Sequence, residues 1–124
     1  MSRILIAEDD RVSQRLALGI VQAMGHTAFV SPNGKHAYEA LKASNKFDLL
    51  ITDIMMPEMD GRHLIQTLRG DTELRKLPIV IMSAVVGVRD ISSLLEMGAT
   101  RFLAKPLDKE ELCEAIERCM PTSC

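Results

Sequence analysis

Phe47-Asp48-Leu49-Leu50-Ile51-Thr52-Asp53-Ile54-Met55-Met56-Pro57-Glu58-Met59-Asp60-Gly61 carries an apolar segment straight into an acidic turn. Residues 47–52 read as a short strand buried on both faces, and Asp53 closes it where the chain breaks toward Pro57 and Gly61. A carboxylate at the end of a buried strand is costly unless charge chemistry happens there. Ile4-Leu5-Ile6-Ala7 is ended by acid in the same way, at Glu8-Asp9-Asp10. Two such strand ends suggest one acidic pocket, suited to a hard cation and to Asp53 as a nucleophile.

On either side of these stretches, apolar runs alternate with helical spacing. Strands are expected over Arg3–Ala7, His26–Ser31, Phe47–Thr52, Ile79–Met82 and Arg101–Ala104. Between them, helices are expected over Arg11–Met24, where Val12, Leu16, Gly19, Ile20 and Val21 recur, then Lys35–Ala43, Gly61–Leu68 and Val88–Met97. Gly87 and a β-branched start suggest a mobile entry to the Val88–Met97 helix. Asp108 caps a last helix through Met120, with Glu111 three residues on as in a capping box. Asp10 serves the Arg11–Met24 helix in the same capacity. Five β-α units with right-handed crossovers force a parallel sheet covered by helices on both faces.

The chain of 124 residues fits one domain, 1–120, with 121–124 as a short tail and no effector domain. Its 47% hydrophobic and 26% charged composition is that of an ordinary globular protein. A net charge of −2 gives no electrostatic reason to expect nucleic acid as a direct partner. No apolar stretch approaches the roughly 20 residues that span a bilayer. With no signal-peptide layout at the start, the expected location is cytoplasmic. Cys113, Cys119 and Cys124 then read as free thiols. His26, His36 and His63 share no metal-ligand spacing and read as surface residues; Arg62 and Arg69 likewise need no special role.

In open α/β sheets, ligands bind beyond the carboxyl ends of the strands. The sequence brings Glu8, Asp9 and Asp10 there from the first strand, Asp53 from the third, Ser83 from the fourth and Lys105 from the fifth. Strand two ends in Ser31-Pro32, which adds little. Clustered carboxylates need a divalent or side-chain cation to offset them, and oxygen ligands without His or Cys select Mg²⁺, with Mn²⁺ possible. Asp53 is then placed to attack phosphorus, Lys105 to neutralise a phosphoryl oxygen and Ser83 to donate its hydroxyl to another. Neither G-x-G-x-x-G nor G-x-x-x-x-G-K-[ST] is present, so the phosphoryl donor is handled by another protein or is a small molecule.

Four segments in order, Ile4–Asp10, Asp53–Gly61, Met82-Ser83-Ala84 and Gly98–Pro106, resemble the receiver domain of bacterial two-component response regulators, chemotaxis regulators among them. The resemblance covers essentially the whole chain. It implies a flavodoxin-like, doubly wound (βα)5 fold with a five-stranded parallel sheet in the order 2-1-3-4-5. It further implies Asp53 as phospho-acceptor, Glu8 and Asp9 as the acidic pair serving Mg²⁺, and a metal contact from the backbone carbonyl of Met55. Ser83 becomes the switch hydroxyl, Lys105 the phosphate-pairing ammonium and Phe102 the aromatic rotamer switch. Phe stands where Tyr is common, which removes any hydroxyl contact at that place. Pro106 after Lys105 suits a cis peptide.

The implied function is a phosphorylation-controlled module of a two-component system or phosphorelay. A sensor histidine kinase or phosphotransfer protein supplies the phosphoryl group, and the face formed by Val88–Met97, strand five and Asp108–Met120 changes shape for a protein target. The module catalyses only its own modification and slow dephosphorylation, as a monomer or a phosphorylation-dependent dimer. An Mg²⁺-dependent aspartyl-phosphate phosphatase is the alternative, but it needs an acid two residues after the nucleophile, where Met55 stands. A flavodoxin-like flavin binder fits less well, because the pocket is acidic and aromatic residues are only 3% of the chain.

Overall fold

The computed structural model describes residues 2–43, 46–56, 58–84 and 88–119, with 88–90 as backbone only. Pro57, Gly87, Met120 and the 121–124 tail with Cys124 therefore lie outside the described residues. Strands β1 (Arg3–Ala7), β2 (Thr27–Ser31), β3 (Leu49–Asp53), β4 (Ile79–Ser83) and β5 (Arg101–Ala104) form one sheet in the order β2-β1-β3-β4-β5. All four pairings are parallel. Helices α1 (Arg11–Ala23), α2 (Gly34–Ala43), α3 (Gly61–Arg69), α4 (Val88–Met97) and α5 (Lys109–Cys119) connect and cover it. The fold is the flavodoxin-like one the sequence implies.

Strand side chains alternate between the two faces, so the three central strands build two cores at once. Ile4, Ile6, Leu49, Ile51, Val80 and Met82 meet Ala17, Ile20 and Val21 of α1 and Leu112, Ala115 and Ile116 of α5. Leu5, Ala7, Leu50, Ile79 and Ile81 meet α2, α3 and α4 through Ala37, Leu41, Leu64, Ile65, Leu68 and Leu94. Every residue of β3 and β4 is buried, which explains their continuous apolar spelling. Each fully buried Leu or Ile contributes roughly 1.5–3 kcal/mol relative to exposure. These strands hold the site rigidly because they are paid for on both faces.

Three local readings differ from the sequence expectation. Strand β3 begins at Leu49 and takes in Asp53, and β4 likewise takes in Ser83, so both polar groups sit within the ladder rather than after it. On α1 the inward stripe is Ala17, Ile20 and Val21, whereas Val12 is 76% and Leu16 44% exposed. An i, i+4 apolar pair reports a face, and here that face is the solvent side. Arg69, expected outward, is half-buried, and its guanidinium donates to the carbonyls of Gly98 at 2.7 and 3.0 Å and of Arg75 at 2.8 Å. Gly98 ends α4 with φ of 121°, and a Cβ there would fall 2.7 Å from the Arg69 side chain.

Candidate functional site

The carboxyl end of the sheet is acidic because β1 and β3 are neighbours. Ala7 pairs with Thr52, so the next residues along each strand, Glu8 and Asp53, come out side by side. Glu8 is wholly buried and Asp53 is 8% exposed, whereas Asp9 is exposed. Carboxylate oxygens of Glu8, Asp9 and Asp53 lie within 4.8 Å of one another. Asp10 turns away as the α1 cap, its carboxylate accepting the Ser13 N–H at 2.8 Å.

Lys105 reaches this cluster from β5. Its ammonium donates to Asp53 Oδ2 at 2.7 Å and also to Glu8 Oε1. The backbone N–H of Lys105 donates to the Ser83 carbonyl at 2.9 Å, tying the residue after β5 to the end of β4. The Lys105–Pro106 peptide is cis, as the sequence suggested. Asp53 Oδ1 accepts the Ile54 N–H at 2.6 Å and the Met55 N–H at 3.4 Å, which fixes the orientation of the carboxyl. Met55 thus sits at the lip of the site, 77% exposed.

Burial drives Glu8 upward from 4.5 to about 7, against the hydrogen bonds it accepts from Lys105 and from the Asp10 N–H. Burial alone pulls the Lys105 ammonium down, but its hydrogen bonds to Asp53 and Glu8 outweigh this and hold it above its ordinary value. The two shifts have opposite causes: burial raises Glu8 in spite of the ammonium, and the carboxyls raise Lys105 in spite of burial. Lys105 pairs with both acids, and Glu8, wholly buried, is the one whose carboxyl burial pushes toward neutrality.

Two further places come from the end of β4 and from β5. Ser83 is 5% exposed, beside Ala104 in the ladder, on the strand next to Asp53. Phe102 pairs with Ile81 and packs, half-buried, on the α2–α3–α4 core. Gly61, the first residue of α3, presses on the site from below: a Cβ there would lie 2.5 Å from the Asp53 carbonyl oxygen and 2.8 Å from the Ile54 Cα.

Sequence reasoning passed over two residues at this end of the sheet. Ser31 is fully buried, its carbonyl accepts the Glu8 N–H at 2.9 Å, and its hydroxyl meets His36 Nδ1 at 2.8 Å. Gln14, on α1, donates its side-chain amide to the Glu8 carbonyl. The signal for Ser31 was present, since it is the only non-apolar residue after Thr27 in that strand. Gln14 carried none, being one polar residue among several on its helix.

Residues 4–117 match the family described as the response regulator receiver domain. The chain belongs to the response regulator receiver domain family. The two-component response regulator ORR11 of rice (Oryza sativa) is 32% identical to this receiver over 118 residues, covering 95% of this chain and 80% of that protein. Two longer curated relatives are spanned over only 15% of their own length. Among solved structures, the signal receiver domain of a histidine kinase from Syntrophus aciditrophicus superposes with TM-score 0.87 at 32% identity, covering 96% of this chain and 89% of that one. The receiver domain of a sensor histidine kinase from Pseudomonas aeruginosa, which has a magnesium ion coordinated in its active-site cleft, gives TM-score 0.86 at 25% identity over 94% of this chain and 95% of that one. As a receiver domain, the protein is a two-component signalling module. No helix among the described residues is long and apolar enough to cross a membrane.

Proposed function

We propose that this receiver is phosphorylated on Asp53 by a sensor histidine kinase or a phosphotransfer protein, in the cytoplasm, and that Mg²⁺ is required. The observation that carries the reading is the meeting of three strand ends in one contact, with the Lys105 ammonium 2.7 Å from Asp53 Oδ2 and Glu8 at the same nitrogen. The donor set fits the metal: Glu8, Asp9 and Asp53 supply carboxylate oxygens, the Met55 carbonyl lies on the adjoining turn, and oxygen ligation suits Mg²⁺ or Mn²⁺. When bound, the metal neutralises charge on the transferring phosphoryl group.

The side chains divide the rest of the work. Backbone N–H groups hold Asp53 Oδ1, so Oδ2 is the oxygen that exchanges its lysine contact for a bond to phosphorus, as the phosphorus–nitrogen bond of the donor's phosphohistidine breaks and the imidazole leaves. Lys105 moves from the carboxylate to a phosphoryl oxygen with little displacement, and Ser83 donates its hydroxyl to another. The new charge of roughly −1.5 to −2 at Asp53 draws the Ser83 end of β4 toward it, and Phe102 on the adjacent strand turns inward. The surface of α4, β5 and α5 is thereby remodelled for a protein target, as a monomer or a phosphorylation-dependent dimer. Water then removes the phosphoryl group slowly.

Incubation with acetyl phosphate and Mg²⁺, followed by mapping of the acyl phosphate, tests this directly. Modification of wild type at Asp53, and none in Asp53→Asn, is the expected result. Equal labelling of both proteins, or beryllofluoride spectra that do not differ between them, overturns it.

A further inference from the structure

The acidic turn is held by its helix as well as by its strand. The ladder of β1 ends at Ala7, yet the following residue is wholly buried, so its backbone groups need partners from elsewhere. The Glu8 N–H finds Ser31. The Glu8 carbonyl is met by the side-chain amide of Gln14, and since a carbonyl can only accept, the donor is the amide nitrogen. The backbone N–H of Gln14 also donates to the Asp10 carbonyl at 2.9 Å. One residue of α1 therefore grips the acidic turn at both its first and last members, with Asp9 between them.

We propose that Gln14 is a positioning residue for the metal site: by fixing the Glu8 carbonyl it sets the plane of the Glu8–Asp9 peptide, and so aims both carboxylates before any cation arrives. The inference rests on the reading of Glu8 and Asp9 as the metal-serving pair. The carbonyl oxygen of Glu8 and the N–H of Asp9 belong to one rigid peptide unit, so holding one end holds the other. Asp10 closes the arrangement, its N–H donating to Glu8 Oε2 at 3.2 Å while its carboxylate caps α1. A neutral amide does this without placing a positive charge beside a cation site, as an arginine or lysine would. Groups that orient ligands from behind matter to affinity although they never touch the ion.

The test compares wild type, Gln14→Met and Leu18→Ala in the full chain, titrating Mg²⁺ while following the amide ¹⁵N resonances of Asp9 and Asp53 and the thermal midpoint. Met matches Gln in length and helix preference but cannot donate. Leu18 packs on the α1–α5 core and is a purely structural control. Gln14→Met is expected to move the Asp9 resonance in metal-free protein and to raise the Mg²⁺ dissociation constant about tenfold, the lower end of such effects. Leu18→Ala is expected to lower the midpoint while keeping the constant within about twofold. Unchanged Mg²⁺ affinity in Gln14→Met, or equal weakening in Leu18→Ala, overturns the proposal. A wild-type protein with no saturable Mg²⁺ response overturns the metal reading as well, which separates the two failures.

Discussion

Lys105, just after β5, and Arg69, at the end of α3, are both half-buried cations, yet their surroundings are opposite in kind. Lys105 sits between the carboxylates of Asp53 and Glu8, partners that carry charge and can be rewritten by a proton, a metal ion or a phosphoryl group. Arg69 donates its rigid fork to the carbonyls of Gly98 and Arg75, dipoles that no ligand alters. Burial lowers the Arg69 guanidinium, whereas Lys105 ends above its ordinary value because carboxylates offset the same cost. One cation is a movable counter-charge. The other is a brace that joins the end of α3 to the end of α4.

The largest effect that bears on this contrast is expected from Lys105→Met. It strands two buried carboxyls without their ammonium and lowers the unfolding free energy of metal-free protein by about 3 kcal/mol. Added Mg²⁺ restores part of that loss in urea unfolding, because a cation replaces a cation. Recovery of nothing at saturating Mg²⁺ would mean that Lys105 is a brace too. Arg69→Met comes next, at about 2 kcal/mol for carbonyls left without donors, and Mg²⁺ leaves the deficit untouched. Arg69→Lys recovers little, since a single ammonium cannot reproduce the fork.

A smaller effect is expected from the Glu8 proton. Its carboxyl titrates near 4.5 when unfolded and at about 7 when folded. Between those values the native chain holds a proton that the unfolded chain has released, so this group makes metal-free protein less stable as pH rises. Urea midpoints of Glu8→Gln should lack that decline, and its stability relative to wild type should grow from acid to neutral pH. A wild-type curve parallel to that of Glu8→Gln through this window would remove Glu8 as the titrating group. The smallest change is expected from Leu16→Ser on the exposed face of α1, within about 0.5 kcal/mol. A larger loss would show that this face is packed in solution.

The same contrast marks what the sequence makes legible. Asp53, Glu8, Asp9, Ser83 and Lys105 stand out because charge or a hydroxyl interrupts an apolar strand, and parallel pairing must then bring such strand ends to one edge. Periodicity gave the element order and the bounds of β1, α4 and β5. It could not tell which side of α1 is dry, since Val12 and Leu16 keep helical spacing while facing water. Arg69 and Gln14 were illegible for another reason. Both are long polar side chains on helices, the usual surface residues, and their roles depend on backbone carbonyls delivered by elements distant in sequence or by the end of a ladder. No local pattern encodes the absence of a partner for someone else's carbonyl.

Gly61 has a bearing on the reuse of this scaffold. With only a hydrogen between the first residue of α3 and the backbone of Asp53 and Ile54, the end of β3 and the start of that helix touch with no slack. A grafted loop bearing a new acid, nitrile or metal-chelating side chain at the Asp53 position will seat only if glycine is kept where the helix starts. Redesign of the reactive group must therefore treat Asp53, Ile54 and Gly61 as one unit.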